Sequence, residues 1–315
     1  MKMFTILTPT FNRATTLPRL YESLLNQTEK DFLWLVADDG STDNTEELVN
    51  MWIAQNKIKI EYYKLPKGGQ HKALQLGYYK AKTKYLVKID SDDAFLPDAI
   101  ENYKNEWEKI EAEKNKKIIN ICAQSMYVNG EIVGNWRFPP DIKYIDSFWH
   151  EMVLKRNNHN ELSNCTLTKI LKEIYPVDYK FWLEDKTNII DGVFAPRIGK
   201  KGTTRYINTI VQVVYSDAPF SSMRSMSTYE NKFWKALIDS KYFLDENFTY
   251  FFWQPRYFIN LSLKLIISSI ICKVSFNDLI NNIDSKRLKL FILILFPLGI
   301  SAYIYFRFIK KKFWI

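Results

Sequence analysis

The chain has 315 residues, 47% of them apolar and 25% charged, which excludes a disordered or fibrous protein and allows one large domain or a domain with an appendage. Its formal net charge of +9 admits nucleic acid, an anionic membrane surface or a phosphate-bearing substrate as the partner. Of 44 Lys+Arg and 35 Asp+Glu, residues 250–315 hold 10 and 2, leaving 34 and 33 in residues 1–249, so a near-neutral body offers nucleic acid no basic face.

Phe4–Thr8 is a short β-type run closed by Pro9. Leu17, Leu20, Tyr21, Leu24 and Leu25 recur at helical spacing and predict a helix over Leu17–Leu25. Phe32–Ala37 is an apolar run of strand length ending in Asp38-Asp39-Gly40-Ser41. Thr42 or Asp43 then caps a helix carrying Leu48, Val49, Trp52 and Ile53. Ile58–Tyr63 reads as a third strand, Gln70–Ala81 as a helix and Tyr85–Ile89 as a fourth strand. This alternation predicts an α/β protein with a mostly parallel central sheet covered on both faces. From Glu101 the alternation weakens. A charged helix over Glu101–Lys117 precedes a strand over Ile118–Tyr127, Arg205–Tyr215 reads as a hairpin turning near Asn208-Thr209, and the pattern past Ser221 is helical. Cys122, Cys165 and Cys272 are too widely spaced for a disulfide framework, and the N-terminal apolar run is too short for a signal peptide, so a cytoplasmic protein is expected.

In a parallel sheet of this kind, ligands bind outside the carboxyl ends of the strands. The residues there are Thr8, Pro9, Thr10 and Asn12 after the first strand, Asp38, Asp39 and Ser41 after the second, Lys67, Gly68 and Gly69 after the third, and Asp90, Ser91, Asp92 and Asp93 after the fourth. Five carboxylates after two strands repel one another unless a cation or donor groups compensate them. Alternate residues of an extended segment point the same way, so Asp90 and Asp92 can face one site and suit a hard divalent cation with positions open for phosphate oxygens. Gly68-Gly69 allows close backbone approach at a helix start, where Lys72 can meet a phosphate. One of Asp38 and Asp39 is expected to serve only the turn.

Together Leu7-Thr8-Pro9-Thr10-Phe11-Asn12-Arg13, Leu25-Asn26-Gln27-Thr28, Val36-Ala37-Asp38-Asp39-Gly40-Ser41-Thr42-Asp43, Gly68-Gly69-Gln70-His71-Lys72-Ala73-Leu74-Gln75-Leu76-Gly77 and Lys88-Ile89-Asp90-Ser91-Asp92-Asp93 resemble a family-2 glycosyltransferase of the GT-A fold over residues 3–98. The resemblance implies that Asp39 recognises the nucleotide base, usually uracil, with Thr8 and Pro9 lining its pocket. It implies that Asp90 contacts the ribose or sugar and that Asp92 ligates Mg²⁺ or Mn²⁺ on the diphosphate. A catalytic base is implied in an acidic pair about 90 residues beyond, where Glu184-Asp185 lies, with Asp185 the candidate and Glu184 the fallback. Trp182 offers a flat apolar face to a sugar. Gln254-Pro255-Arg256-Tyr257 departs from the QxxRW motif of processive synthases, which favours transfer of a single sugar.

The tail is a separate element. Leu290–Phe306 carries no charge and is flanked by Lys286, Arg287 and Lys289 before it and by Arg307 and Lys310-Lys311-Lys312 after it. Basic clusters on both sides favour a segment lying in or re-entering the membrane plane, with a spanning helix and a buried core helix as alternatives. The expected organisation is a catalytic domain over residues 1–220, its 1–98 part binding nucleotide sugar and its 99–220 part carrying acceptor side and base, followed by a helical membrane-associating region over 221–315. The expected activity is metal-dependent, inverting transfer of one sugar from a UDP-sugar to a saccharide acceptor, lipid-linked by analogy, for surface polysaccharide at the cytoplasmic face of the cell membrane. Two rivals stand. A sugar-nucleotide pyrophosphorylase-type transferase needs a Gly-rich basic signature after the first strand, where this chain has Thr-Pro-Thr-Phe-Asn. A non-catalytic membrane-bound nucleotide-sugar scaffold has no use for paired carboxylates at two places.

Overall fold

A computed structural model of the chain describes residues 2–158, 160–175, 194–217, 229–305 and 307. The chain divides into two compact units, the first drawn from Met1–Asp178 and Arg197–Pro219, the second from Tyr179–Pro196 and Phe220–Ile315. In the first unit the order is β1 (Phe4–Thr10), α1 (Leu17–Leu25), β2 (Phe32–Asp38), α2 (Thr45–Gln55), β3 (Ile60–Lys64), α3 (Gln70–Lys80), β4 (Tyr85–Lys88), β5 (Ala94–Phe95), α4 (Ala99–Ala112), β6 (Ile118–Tyr127), β7 (Tyr144–Ser147), β8 (Leu162–Leu167) and α5 (Thr168–Ile174). A helix α6 (Phe194–Lys201) then leads into β9 (Thr203–Val214).

Every residue of β1 and β2 is buried, as their unbroken apolar runs require of strands covered on both faces. Alternate side chains of β1 go to opposite layers. Phe4 and Ile6 join Leu17, Leu20 and Tyr21 of α1, Val49 and Trp52 of α2, and Tyr103 and Trp107 of α4 in one core. Tyr21 stacks on Trp52 at 4.2 Å between ring centres, and Trp34 lies 5.8 Å beyond. Leu7 faces the other way, under α3, where Gly77 leaves room for it; a Cβ there would come within 2.2 Å of Leu7 Cδ1.

The sheet has nine strands in the order β3-β2-β1-β4-β8-β6-β9-β5, with β7 also on β9. The first four run parallel, in agreement with the alternation of the sequence. β8 enters antiparallel to both β4 and β6. The hairpin expected over Arg205–Tyr215 is instead part of one long strand, β9, paired with β6 on one side and with β7 and then β5 on the other. Asn208 stays in the strand because its polar groups are used there. Its N–H donates to the Lys143 carbonyl (2.8 Å), and its Oδ1 accepts from Gln124 Nε2 (2.6 Å). The start of α2 also differs: Asn44 is the cap position, while Asp43 accepts from the Thr45 N–H (3.1 Å) and hydroxyl (2.5 Å).

The second unit is helical, with α7 (Tyr229–Asn247), a 3-10 turn (Phe248–Trp253), α8 (Pro255–Ile271), α9 (Phe276–Asn281) and α10 (Lys286–Ile304). Leu288, Ile292 and Gly299 of α10 are buried, and Gly299 sits against Ile266 of α8. α10 is the one described helix long and apolar enough to cross a membrane.

Candidate active site

Parallel pairing of β1 with β2 and β4 brings the loops after these strands to one edge of the sheet. Asp38 and Asp39, adjacent in sequence, are used differently. Asp38 is fully buried; one carboxylate oxygen accepts from the Ser41 N–H (2.8 Å) and hydroxyl (2.7 Å), the other from the Tyr62 hydroxyl (2.5 Å). It is the turn-forming member of the pair, and its charge helps burial raise the pKa of the Tyr62 phenol. Asp39 points to the glycine loop, accepting from the Gly68 N–H (2.8 Å) and the Gly69 N–H (2.9 Å). Burial raises its pKa, and the two backbone donors oppose that shift. Gly40, at φ +79°, makes this approach possible; a Cβ would stand 2.8 Å from the Lys67 backbone nitrogen.

The β1 loop is tied to its neighbours by Asn12 and Arg13. Asn12 donates its N–H to Ser41 Oγ (2.8 Å) and accepts at Oδ1 from the Thr42 N–H (2.8 Å). Arg13 donates through Nε to Ser91 Oγ (3.2 Å) and stands 3.6 Å from the Asp92 carboxylate through Nη2, while its buried Nη1 has no hydrogen-bond partner. Thr8, by contrast, turns into the core, where its hydroxyl accepts from Trp34 Nε1 (3.0 Å). Pro9 is buried in β1, and Thr10 Oγ1 is buried at its end without a hydrogen bond. Lys72 is exposed on the first turn of α3, its stem beside Gly68.

The carboxylates after β4 form two groups. Asp92 leans towards Arg13, and burial raises its pKa against the pull of that guanidinium. Asp90 instead joins Asp93 and Glu161, the three offering carboxylate oxygens within 4.8 Å of one another. Asp93 accepts from Gln212 Nε2 (2.7 Å) and the Tyr215 N–H (3.1 Å), yet burial and the Asp90 and Asp92 charges push its pKa up to about 8. Asp90 Oδ1 is buried and accepts no hydrogen bond, with Lys88 Nζ at an ion-pair distance of 3.3 Å. A buried carboxylate oxygen with no hydrogen bond, compensated among the described residues only by Lys88 and set beside carboxyls of raised pKa, fits a hard divalent cation. The spacing of Asp90 and Asp92 is visible in the sequence. Glu161, 68 residues beyond Asp93, carries no local motif and reaches the cluster only through the tertiary fold. Arg19, Gln212, Tyr215 and Asp217 were likewise unmarked. Trp182, Glu184 and Asp185, the expected sugar platform and base pair, lie outside the described residues.

The model of the family described as glycosyl transferase family 2 matches residues 5–162, a span holding every strand-end loop described above. The chain belongs to that family. Among its relatives, the chondroitin synthase of Pasteurella multocida (strain Pm70) is 31% identical over 133 residues, 42% of this chain but 13% of that protein. The Escherichia coli enzyme named UDP-Glc:alpha-D-GlcNAc-diphosphoundecaprenol beta-1,3-glucosyltransferase WfaP is 26% identical over 231 residues, 67% of this chain and 84% of that protein. The fold of this family-2 chain matches Staphylococcus aureus TarS 1–349, solved in complex with UDP-GlcNAc, at a TM-score of 0.62 and 15% identity, covering 99% of this chain and 93% of that one. At that identity the likeness is one of fold, and the fold is GT-A. The chain spans only a small part of the Pasteurella protein's length, while the E. coli enzyme is covered over most of its own.

Proposed function

We propose that this chain transfers one sugar from a UDP-sugar to a saccharide acceptor in surface polysaccharide synthesis. The observation that carries the reading is the meeting of Asp39 with the Gly68-Gly69 loop and of Asp90, Asp92 and Asp93 with Arg13 and Glu161 along one sheet edge. A family-2 sequence and a GT-A fold around that edge support it. Asp39 offers a carboxylate at the end of β2, complementary to the ring N–H of uracil, held in place by the Gly68 and Gly69 N–H groups. Pro9, Thr10 and Asn12 shape the β1 side of the pocket, Asp90 and Ser91 meet the ribose or sugar, and Lys72 meets a phosphate.

Asp92 and Asp90, with Asp93 and Glu161 beside them, would hold Mg²⁺ or Mn²⁺. Such an ion neutralises charge developing on the leaving diphosphate. Asp185, or failing it Glu184, takes the proton of an acceptor hydroxyl whose oxygen attacks the anomeric carbon from the face opposite the diphosphate. The new glycosidic bond forms as the bond to the diphosphate breaks, and configuration at that carbon inverts. Trp182 supports the sugar face. The E. coli relative is named for a UDP-glucose donor and a diphosphoundecaprenol-linked acceptor, which supports a lipid-linked acceptor here. An apolar α10 with basic flanks supports action beside the cytoplasmic face of a membrane.

The test is thermal stabilisation of the purified full chain by a panel of nucleotide sugars with and without Mn²⁺, followed by transfer assays on lipid-linked saccharides. Stabilisation by a UDP-sugar that Asp92→Asn abolishes supports the donor site; no shift with any nucleotide sugar overturns it. Asp185→Asn is expected to retain donor binding and lose transfer.

A further inference from the structure

The outward face of α10 is built against the rule for a helix on a soluble protein. Leu288, Ile292 and Gly299 form the buried side of α10, with Gly299 against Ile266 of α8. The opposite side presents Leu290, Leu293, Ile294, Leu298, Ile300 and Ile304, with Leu290 61% and Ile294 68% exposed. A surface helix ordinarily turns charged residues outward there. Exposed apolar area extends beyond α10: Phe248 and Phe251 of the 3-10 turn contact Phe291, and the same turn leaves Phe252 86% exposed and Trp253 41% exposed.

Charge says what covers this face. Lys286, Arg287 and Lys289 occupy the first turns of α10, and its first turn contains no acidic residue. Cations at the positive end of a helix dipole are unfavourable unless an anion compensates them. Asp284, just before the helix, is engaged by Lys241 at 3.8 Å. A bilayer containing anionic lipid supplies both partners, phosphate headgroups for the basic turn and hydrocarbon for the apolar stripe.

The neighbours of α10 decide how it sits. At about 1.5 Å per residue its 19 residues reach a little under the roughly 30 Å of a hydrocarbon core, so length alone leaves spanning open. The helices behind it are unsuited to lipid. Asp245 of α7 accepts from the Asp284 N–H (2.8 Å) and the Ser285 N–H (2.6 Å), binding the start of α10 to a helix that carries Lys235–Asp239 and Lys241–Asp245 ion pairs. Lys264 of α8 lies within electrostatic reach of Asp239. A spanning α10 would carry these ionised groups into hydrocarbon, at a cost their partners do not remove. An α10 lying flat immerses only its outward side.

We infer that α10 lies in the plane of an anionic bilayer, its Leu290–Ile294–Leu298 stripe in the acyl boundary and Lys286, Arg287 and Lys289 at the headgroups. This deepens the proposed membrane-side reading and rests on it, but not on the identity of the donor.

The test uses the full chain with phosphatidylcholine vesicles, alone or containing phosphatidylglycerol. Sedimentation is expected with the anionic vesicles and to be at least about tenfold weaker with the neutral ones. Leu290→Glu with Ile294→Glu is expected to abolish it, and Lys286→Glu with Arg287→Glu to weaken it about tenfold. Bound protein is expected to be released by alkaline carbonate, as a helix held on one face should be. Protein retained after carbonate would replace the in-plane seat by a spanning one. Equal binding to both vesicles would remove the anionic partner. Lack of vesicle binding together with a dimer that Leu290→Glu disperses would assign the face to a second copy of the chain. UDP-induced stabilisation of the same variants, measured without lipid, separates loss of the docking face from loss of the donor site.

Discussion

Arg19 of α1 grips the carboxylate of Asp217, 198 residues away, through both terminal nitrogens at 3.0 and 2.5 Å. The same guanidinium donates to the Asp92 carbonyl (2.9 Å) and lies 3.7 Å over the Tyr215 ring. It therefore joins the carboxylate loop after β4 to the segment after β9. Because Asp217 is more than half exposed, the pair is worth roughly 1 kcal/mol or less in stability. Arg19→Ala is expected to lower the melting temperature little and raise the donor KM several-fold, with a smaller change in kcat. Steady-state kinetics on the variant check this; an unchanged KM would reduce Arg19 to a surface contact.

Asp39 and Gly40 are expected to fail in different ways. Asp39→Asn keeps one acceptor for the Gly68 and Gly69 donors but loses the charge, so UDP affinity should fall about tenfold or more while the fold persists. Gly40→Ala places a Cβ against the Lys67 backbone at positive φ, costing on the order of 1–3 kcal/mol, so stability and UDP affinity should fall together. Calorimetric titration with UDP beside a melting curve separates the two.

Metal affinity should depend on a residue no local motif marks. Glu161→Gln removes one of three clustered carboxylates. The Mn²⁺ concentration for half-maximal stabilisation of the UDP complex is expected to rise several-fold, and chelation should reduce wild type and variant to the same metal-free stability. Identical Mn²⁺ curves would exclude Glu161 from the cation site.

His71 should make stability pH-dependent. Burial, aided by the Lys72 charge, lowers its pKa below the ordinary 6.5. The folded state thus binds that proton less tightly than the unfolded state, and stability rises with pH across the interval between the two values. The His71 contribution should be complete above about pH 6.5, fall as pH drops below it, and level off below the folded-state pKa, while Asp93, with its pKa pushed up to about 8, contributes with the opposite sign. Denaturant unfolding of the wild type and of His71→Gln across that range checks this, the difference between the two profiles isolating the His71 contribution.

Much of the first hundred residues was legible because their determinants are local. Continuous apolar runs select strands covered on both faces, helical spacing selects the helices between them, and parallel connection carries the loops after β1, β2 and β4 to one edge. The Asp38-Asp39 pair and the Asp90-Ser91-Asp92-Asp93 run could therefore be singled out from sequence position alone. Their partners could not. Asp38 and Asp39 are the same residue type at adjacent positions, and only the approach of Ser41 and Tyr62 on one side and of Gly68 and Gly69 on the other divides their roles. Glu161, Gln212 and Asp217 reach the β4 loop from beyond residue 160, through β8 and β9, which a local pattern does not register. The hairpin expected at Asn208 fails for the same reason, since its amide and side chain find partners on neighbouring strands. In the tail, composition alone identified an apolar segment between basic clusters. Which face of it is free, and the ion-paired helices that hold the other, are set by packing between residues far apart in the chain.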